Sequence, residues 1–271
     1  MTKIDTHRED NPFAQGLIKQ VLVDADIITY RAALSRDSYS EATAIQKTRD
    51  VVDYIKHNTQ TIDVDQYTFY LTGKGNFRHD VAKTAPYKGN RASKEKPQYM
   101  ELVRDYLVSE YNAIVVEGRE ADDAIATKAA ELSYDCIATT VDKDFLQIPC
   151  WHYNFGRNEW YKPTEWEGVQ FFYSQILTGD TVDNIIGLYG IGPVKAAKML
   201  EGATTERELY DACVSAYVSG SEALMVDPEV RKVWATERVL ENGRLLWLQR
   251  DKDELWEPTF GDVATVQMVK G

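Results

Sequence analysis

Four short apolar runs punctuate the first 141 residues of this 271-residue chain, and a segment with helical spacing separates each from the next. Residues 21–25, 67–71, 113–116 and 136–141 have the length and the β-branched or aromatic content of buried strands. Residues 42–57, 98–110 and 122–132 read as the intervening helices. In the last of these Ala121, Ala124, Ile125, Ala129 and Leu132 fall near one face. Such alternation argues for an α/β fold with a mainly parallel central sheet flanked by helices. In open sheets of this kind ligands bind beyond the carboxyl ends of the strands. Residues 151–161 are then expected as an antiparallel hairpin turning near Gly156-Arg157-Asn158, after which the pattern becomes helical. Two regions follow from this: an α/β domain over residues 20–163, and a helical region over 164–271 expected to pack on it.

Carboxylates stand where this fold would gather them. Asp24 closes Val21-Leu22-Val23, and Glu120, Asp122 and Asp123 open the helix after the third run. Asp142 and Asp144 follow the fourth run, and Asp180 and Asp183 precede Gly187-Leu188-Tyr189-Gly190-Ile191-Gly192-Pro193-Val194-Lys195. Like charges at close range raise one another's pKa, so acids converging on one site call for hard cations with oxygen ligands. Mg²⁺ is the usual ion where phosphate is the substrate. Each phrase also has a plainer reading. Asp142 could cap a turn, with Asp142 and Asp144 pointing the same way only if the strand continues. Glu120, Asp122 and Asp123 could be first-turn acids favoured by the helix dipole. Asp180 and Asp183 share a face if that segment is helical, and Asp183 could instead cap the turn before Asn184. The glycine phrase is either an ordinary helical corner or a helix start whose open N–H groups meet a phosphate.

The formal charge is −12, but it is unevenly spread. Seven Lys and Arg (Lys74, Arg78, Lys83, Lys88, Arg91, Lys94, Lys96) face two acids within residues 74–96, a net +5 that leaves −17 elsewhere. Such a run is either a solvated face or a phosphate-binding segment, and Phe77 and Tyr87 within it favour nucleic acid because aromatic faces stack on bases. Cys136, Cys150 and Cys213 lack metal-ligand spacing, so reduced core thiols and a cytoplasmic setting are expected. No apolar stretch approaches the roughly 18 residues that span a membrane. His7, His57, His79 and His152 lie outside the acidic phrases, where surface or structural roles are expected.

Taken together, Val23-Asp24, Tyr87-Lys88-Gly89-Asn90-Arg91, Glu120-Ala121-Asp122-Asp123, Thr140-Val141-Asp142-Lys143-Asp144, Gly179-Asp180-Thr181-Val182-Asp183-Asn184 and Gly187-Leu188-Tyr189-Gly190-Ile191-Gly192 resemble the 5′→3′ exonucleases and flap endonucleases, of the bacteriophage and DNA polymerase I type. The resemblance runs from about residue 20 to 200. It implies a PIN-like 5′-nuclease fold and hydrolysis of phosphodiesters near 5′ ends of DNA, with RNA–DNA hybrids as a further substrate. It also implies two Mg²⁺ ions, replaceable by Mn²⁺, held by Asp24, Glu120, Asp122, Asp123, Asp142, Asp144, Asp180 and Asp183. Lys88 and Arg91 would face the scissile phosphate, and residues 74–97 would form or adjoin an arch passing a 5′ strand. The glycine phrase would be a helix–three-turn–helix over about 176–200, gripping duplex DNA through Gly190, Gly192 and Lys195 and holding a monovalent cation such as K⁺. A monomer in a bacterial cytoplasm, that of the host if phage-encoded, completes the expectation.

One departure stands out. Thr72 occupies the end of the second run, where the family usually has an aspartate, and Asp26 is the candidate replacement ligand. A DNA-binding protein of this fold with impaired catalysis and a toxin-like ribonuclease are the rival readings. Trp234, Trp247 and Trp256 are expected in the core.

Overall fold

The computed structural model describes residues 18–33, 40–60, 64, 66–91, 95–221, 227–258 and 260. Lys94 and His7 lie outside the described residues. The chain divides into two compact units. The first takes in the described residues up to Phe77, with those of Arg91–Gly168 and Leu248–Glu254; the second takes in the described residues of Arg78–Asn90, Val169–Trp247 and from Leu255 on.

The first unit is a mixed α/β layer structure. Strands β1 (Gln20–Asp24), β2 (Tyr67–Thr72), β3 (Ile114–Val116), β4 (Cys136–Thr139), β5 (Trp151–Asn154) and β6 (Glu159–Tyr161) form one sheet in the order β3-β2-β1-β4-β5-β6. Every pairing is parallel except β5 with β6, the expected hairpin, where Asn158 takes a left-handed turn conformation at φ 53°. Period-two alternation sorts the strand residues between two layers. Val21, Val23, Phe69, Leu71 and Ile137 pack on one face against α1 (Ala25–Ala33), α2 (Glu41–Thr59) and α4 (Met100–Tyr111). Leu22, Tyr70, Val116, Cys136 and Ala138 pack on the other against α5 (Ala121–Glu131).

The second unit is mainly helical: α3 (Arg78–Val81), the greater part of α6 (Glu165–Thr178), a two-residue ladder of β7 (Gly179–Asp180) with β8 (Ile185–Ile186), then α7 (Pro193–Met199), α8 (Glu206–Gly220) and α9 (Pro228–Leu246). Its interior turns on Asn242, whose amide donates to Tyr217 Oη at 2.9 Å and to the carbonyls of Ile176 and Ile186. Phe172 meets Trp247 and Trp256 edge-on, and Trp234 packs on Tyr217, so the tryptophans belong to this packing. Gly179 (φ 65°) and Gly187 cross so closely that a Cβ on the first would lie 2.3 Å from the Ile185 carbonyl oxygen.

Several local expectations are corrected. Helix α1 begins immediately after Asp24, so Ala25 and Asp26 are helical rather than part of a strand end. Strand β4 ends at Thr139, not residue 141. Asp180 and Asp183 lie in a strand and a turn, not on one helical face. Within the basic run Arg78 is only 1% exposed: its guanidinium donates to the Leu245 and Trp247 carbonyls at 2.8 Å, closing the C-terminal end of α9. Tyr87 is 4% exposed, which removes it as a stacking platform. The three cysteines are free and buried, and among the described residues no helix is long and apolar enough to cross a membrane.

Candidate active site

Strand β1 pairs with β2 on one side and β4 on the other, which places its carboxyl end at the point where the connections diverge to opposite sides of the sheet. Asp24 ends this strand and is 3% exposed. The register Val23↔Thr139 brings the residue after β4 alongside, and Thr140 Oγ1 donates to Asp24 Oδ2 at 2.9 Å. The same hydroxyl accepts the Asp142 amide at 3.1 Å, turning the chain out of the sheet. Asp24 Oδ1 is buried without a partner of hydrogen-bond geometry. Burial, reinforced by the charges of Asp26 and Asp142 and opposed by the Thr140 hydrogen bond and the Ile27 backbone N–H, pushes the Asp24 carboxyl from 3.8 up to about 7. A buried carboxylate with an open oxygen and two acidic neighbours is a poor resting place for a charge unless a cation is supplied.

Asp26 lies in the first turn of α1 and is already engaged. Its two oxygens accept the Thr72 backbone N–H at 3.0 and 3.3 Å, and Oδ1 also takes Arg104 Nη1 at 3.2 Å. Burial pushes its carboxyl upward, while Thr72 and Arg104 hold it back and Glu120 adds to the rise. The Thr72 hydroxyl accepts the Ala121 N–H at 2.9 Å, tying the end of β2 to the start of α5.

At that start Glu120 and Asp123 form a capping box, with the Glu120 amide donating to Asp123 Oδ2 at 3.2 Å. Asp123 Oδ1 accepts the Gln249 amide at 3.2 Å, so Asp123 is buried with both oxygens engaged, while Glu120 and Asp122 are half-buried. Asp142 caps the 3-10 turn Lys143–Gln147 and accepts the Asp144 amide at 2.9 Å. The pair therefore sits on a turn, not on a continuing strand. Asp144 is half-buried, 3.7 Å from Lys143 Nζ. Asp24, Asp26, Asp142 and Glu120 thus form one electrostatic neighbourhood. Among the described residues no three His, Cys, Asp or Glu side chains converge tightly enough, as they stand, to ligate one ion.

The second unit holds its own acidic pair. Asp180 Oδ1 accepts the Val182 amide at 2.7 Å and the Asp183 amide at 3.3 Å. Asp183 accepts the Tyr87 hydroxyl at 2.8 Å and lies 3.7 Å from Lys88 Nζ, while the Lys88 amide donates to the Asp183 carbonyl at 2.9 Å. Lys88 is half-buried at φ 53°, and Asn90 donates to the Thr181 carbonyl. Arg91 is half-buried at the start of the following segment of the first unit. In the glycine phrase Gly190 has φ 72°, Gly192 caps α7 with Pro193 next, and Lys195 Nζ donates to the Gly190 carbonyl at 2.9 Å. A Cβ at Gly190 or Gly192 would meet nothing within 4 Å, so this backbone is open to approach.

Thr140, Arg104 and Gln249 were not singled out from the sequence. Thr140 follows a strand whose partner ends in an acid, a signal that could have been read; Arg104 and Gln249 act across 78 and 126 positions and carry no local signature.

The sequence model of the family described as 5′-3′ exonuclease, N-terminal resolvase-like domain, matches residues 19–166. DNA polymerase I of Bacillus subtilis (strain 168) is 29% identical over 220 residues, covering 72% of this chain and 24% of the polymerase. The chain therefore spans about a quarter of that relative's length. A crystal structure of the T5 D15 protein with metal ions aligns with a TM-score of 0.62 at 16% identity, covering 84% of this chain and 89% of that one. A complex of the bacteriophage T5 D15 flap endonuclease with DNA and metal ions aligns at 0.52 and 15%, covering 82% and 99%. At these identities the structural likeness concerns the fold.

Proposed function

The chain belongs to the 5′-3′ exonuclease family through its N-terminal resolvase-like domain, and we propose on that footing that it hydrolyses phosphodiesters near 5′ ends of DNA, as an exonuclease or flap endonuclease, with divalent metal ions. The observation that carries the reading is Asp24: a buried carboxylate at the divergence point of a parallel sheet, with one open oxygen and a carboxyl pushed to about 7 beside Asp26 and Asp142. The donor set is all oxygen and suits Mg²⁺ or Mn²⁺. Asp24, Glu120, Asp122, Asp142 and Asp144 would hold such ions in the first unit. Asp180 and Asp183 are assigned to cation binding on the sequence pattern. Asp123 and Asp26, each already engaged by protein donors, flank these acids; Asp123 is assigned to cation binding on the sequence pattern. A bound divalent cation supplies charge that lowers the pKa of an attacking water and stabilises the departing oxygen.

This chain's residues do the remaining work. Thr140 fixes the orientation of Asp24, and the capping box fixes Glu120. Lys88, oriented by Asp183 and by its own left-handed backbone, and Arg91 are assigned to the scissile phosphate. Gly190, Gly192 and Lys195 are assigned to the duplex backbone, with K⁺ as the monovalent ion such a turn would take. No side-chain nucleophile is required.

A second reading, a DNA-binding protein of impaired catalysis, draws on Thr72 at a position where the family usually places an acid. Replacement of Asp142 by Asn separates the two. It should lower turnover on a 5′-flap substrate by several orders of magnitude while circular dichroism and DNA affinity stay near those of the unsubstituted protein. Near-normal turnover at saturating Mg²⁺ would sink the assignment, and an unsubstituted protein that binds flaps without cutting them would favour the second reading.

A further inference from the structure

The carboxyl end of β2 is organised around a guanidinium. Arg104 projects from α4, whose Val103 and Leu107 are buried in the core, and its side chain is 17% exposed against 23% for Asp26. One nitrogen, Nη1, donates to Asp26 Oδ1 at 3.2 Å; the other, Nη2, donates to the Thr72 carbonyl at 2.7 Å. Asp26 returns to the same residue by accepting the Thr72 N–H. Thr72 is thereby held at three points: its N–H by Asp26, its carbonyl by Arg104 and its hydroxyl by the Ala121 amide. A planar fork that satisfies a carboxylate and a carbonyl at once suits Arg, and a lysine ammonium could not reproduce it.

We propose that Arg104 is a fixed, protein-borne cation at the β2 edge of the carboxylate cluster, taking Asp26 as its counter-ion, withholding that carboxylate from metal ions and positioning Thr72 against the start of α5. The proposal rests on the metal-dependent reading of the same site. It replaces the expectation that Asp26 becomes a ligand in compensation for Thr72. Arg104 is a positioning residue: it reaches the acids through Asp26 and Thr72.

The test is Mn²⁺ binding to the full chain, counted by electron paramagnetic resonance and titrated by calorimetry, without substrate. In the unsubstituted protein the Asp26–Arg104 pair is neutral as a whole. Arg104→Met leaves Asp26 unbalanced and should tighten Mn²⁺ by about 3- to 10-fold, while Asp26→Asn leaves Arg104 unbalanced and should weaken it by a similar factor with the number of ions unchanged. The double variant Asp26→Asn/Arg104→Met, neutral again, should return to within about 3-fold of the original affinity. Arg104→Lys keeps the charge but loses the fork, so its affinity should lie between those of the original and Arg104→Met. Loss of an ion in Asp26→Asn, or a double variant as weak as Asp26→Asn alone, would make Asp26 a ligand and overturn the proposal while leaving the metal-dependent reading in place. Absence of Mn²⁺ binding in every form, the unsubstituted protein included, would overturn both.

Discussion

Replacing Asp24 by Asn should stabilise the metal-free protein while abolishing its chemistry. The carboxyl is raised in the folded state from 3.8 to about 7, first by burial and then by Asp26 and Asp142. A group whose folded pKa lies above its unfolded value holds its proton more tightly when folded. Its contribution to stability is therefore complete below about pH 4 and is lost as pH rises through about 7. At about 1.4 kcal/mol per pKa unit the ceiling on that loss is about 4 kcal/mol. Because Asp26 and Asp142 share the burden, about half of it is a reasonable expectation for one substitution. Asn keeps an oxygen for the Thr140 hydroxyl and carries no charge at any pH. In EDTA at pH 8 the variant should melt about 4–8 °C above the unsubstituted protein, with the gap closing toward pH 5. Mn²⁺ should close the gap at pH 8 from the other side, by stabilising the unsubstituted protein alone. Differential scanning calorimetry across pH, with and without Mn²⁺, reads all three. A variant that melts at or below the original temperature at pH 8 in EDTA would refute the reasoning about the Asp24 environment.

Two further outcomes are expected. Gly179→Ala places a Cβ 2.3 Å from the Ile185 carbonyl oxygen at a φ of 65°, and should cost about 3 kcal/mol or more, visible as a lower melting temperature. Lys88→Ala should lower single-turnover cleavage of a 5′ flap by about 100-fold while changing flap affinity less than about 3-fold, since a charge aimed at the transition state acts on rate before binding; a change in affinity alone would reduce Lys88 to a docking contact.

Much of the first unit is legible because its central strands β1 and β4 are contiguous apolar runs buried on both faces. Gln20–Asp24 and Tyr67–Thr72 lie within one residue of the expected limits. The end of β4 departs from the expected one for a physical reason: Thr140 and Val141 have β-like composition, but the Thr140 hydroxyl is spent on Asp24 and on the Asp142 amide, which turns the chain away. Helix α1 leaves no signature in the sequence because it starts directly from Asp24, with no capping phrase between strand and helix. At the site, the positions of the acids were readable and their partners were not. Arg78 counts as surface charge in any local tally, yet it closes a helix end 167 positions away. Asp26 reads as a spare ligand until Arg104, 78 positions on, is found against it. Tyr87 reads as a stacking ring, but its hydroxyl is bound to Asp183 inside the helical unit. Long-range partners of charged and aromatic groups leave no periodic trace, so sequence pattern locates a cluster better than it assigns the duty of each member.

The central claim is tested most directly by incubating the purified chain with a DNA duplex bearing a 5′-labelled single-stranded flap, in Mg²⁺ and in EDTA, beside single-stranded RNA of matched length. The account predicts release of 5′ fragments from the flap substrate in Mg²⁺, none in EDTA, and little cleavage of the RNA. Cleavage that persists in EDTA, or cleavage of the RNA in preference to the flap, would contradict it.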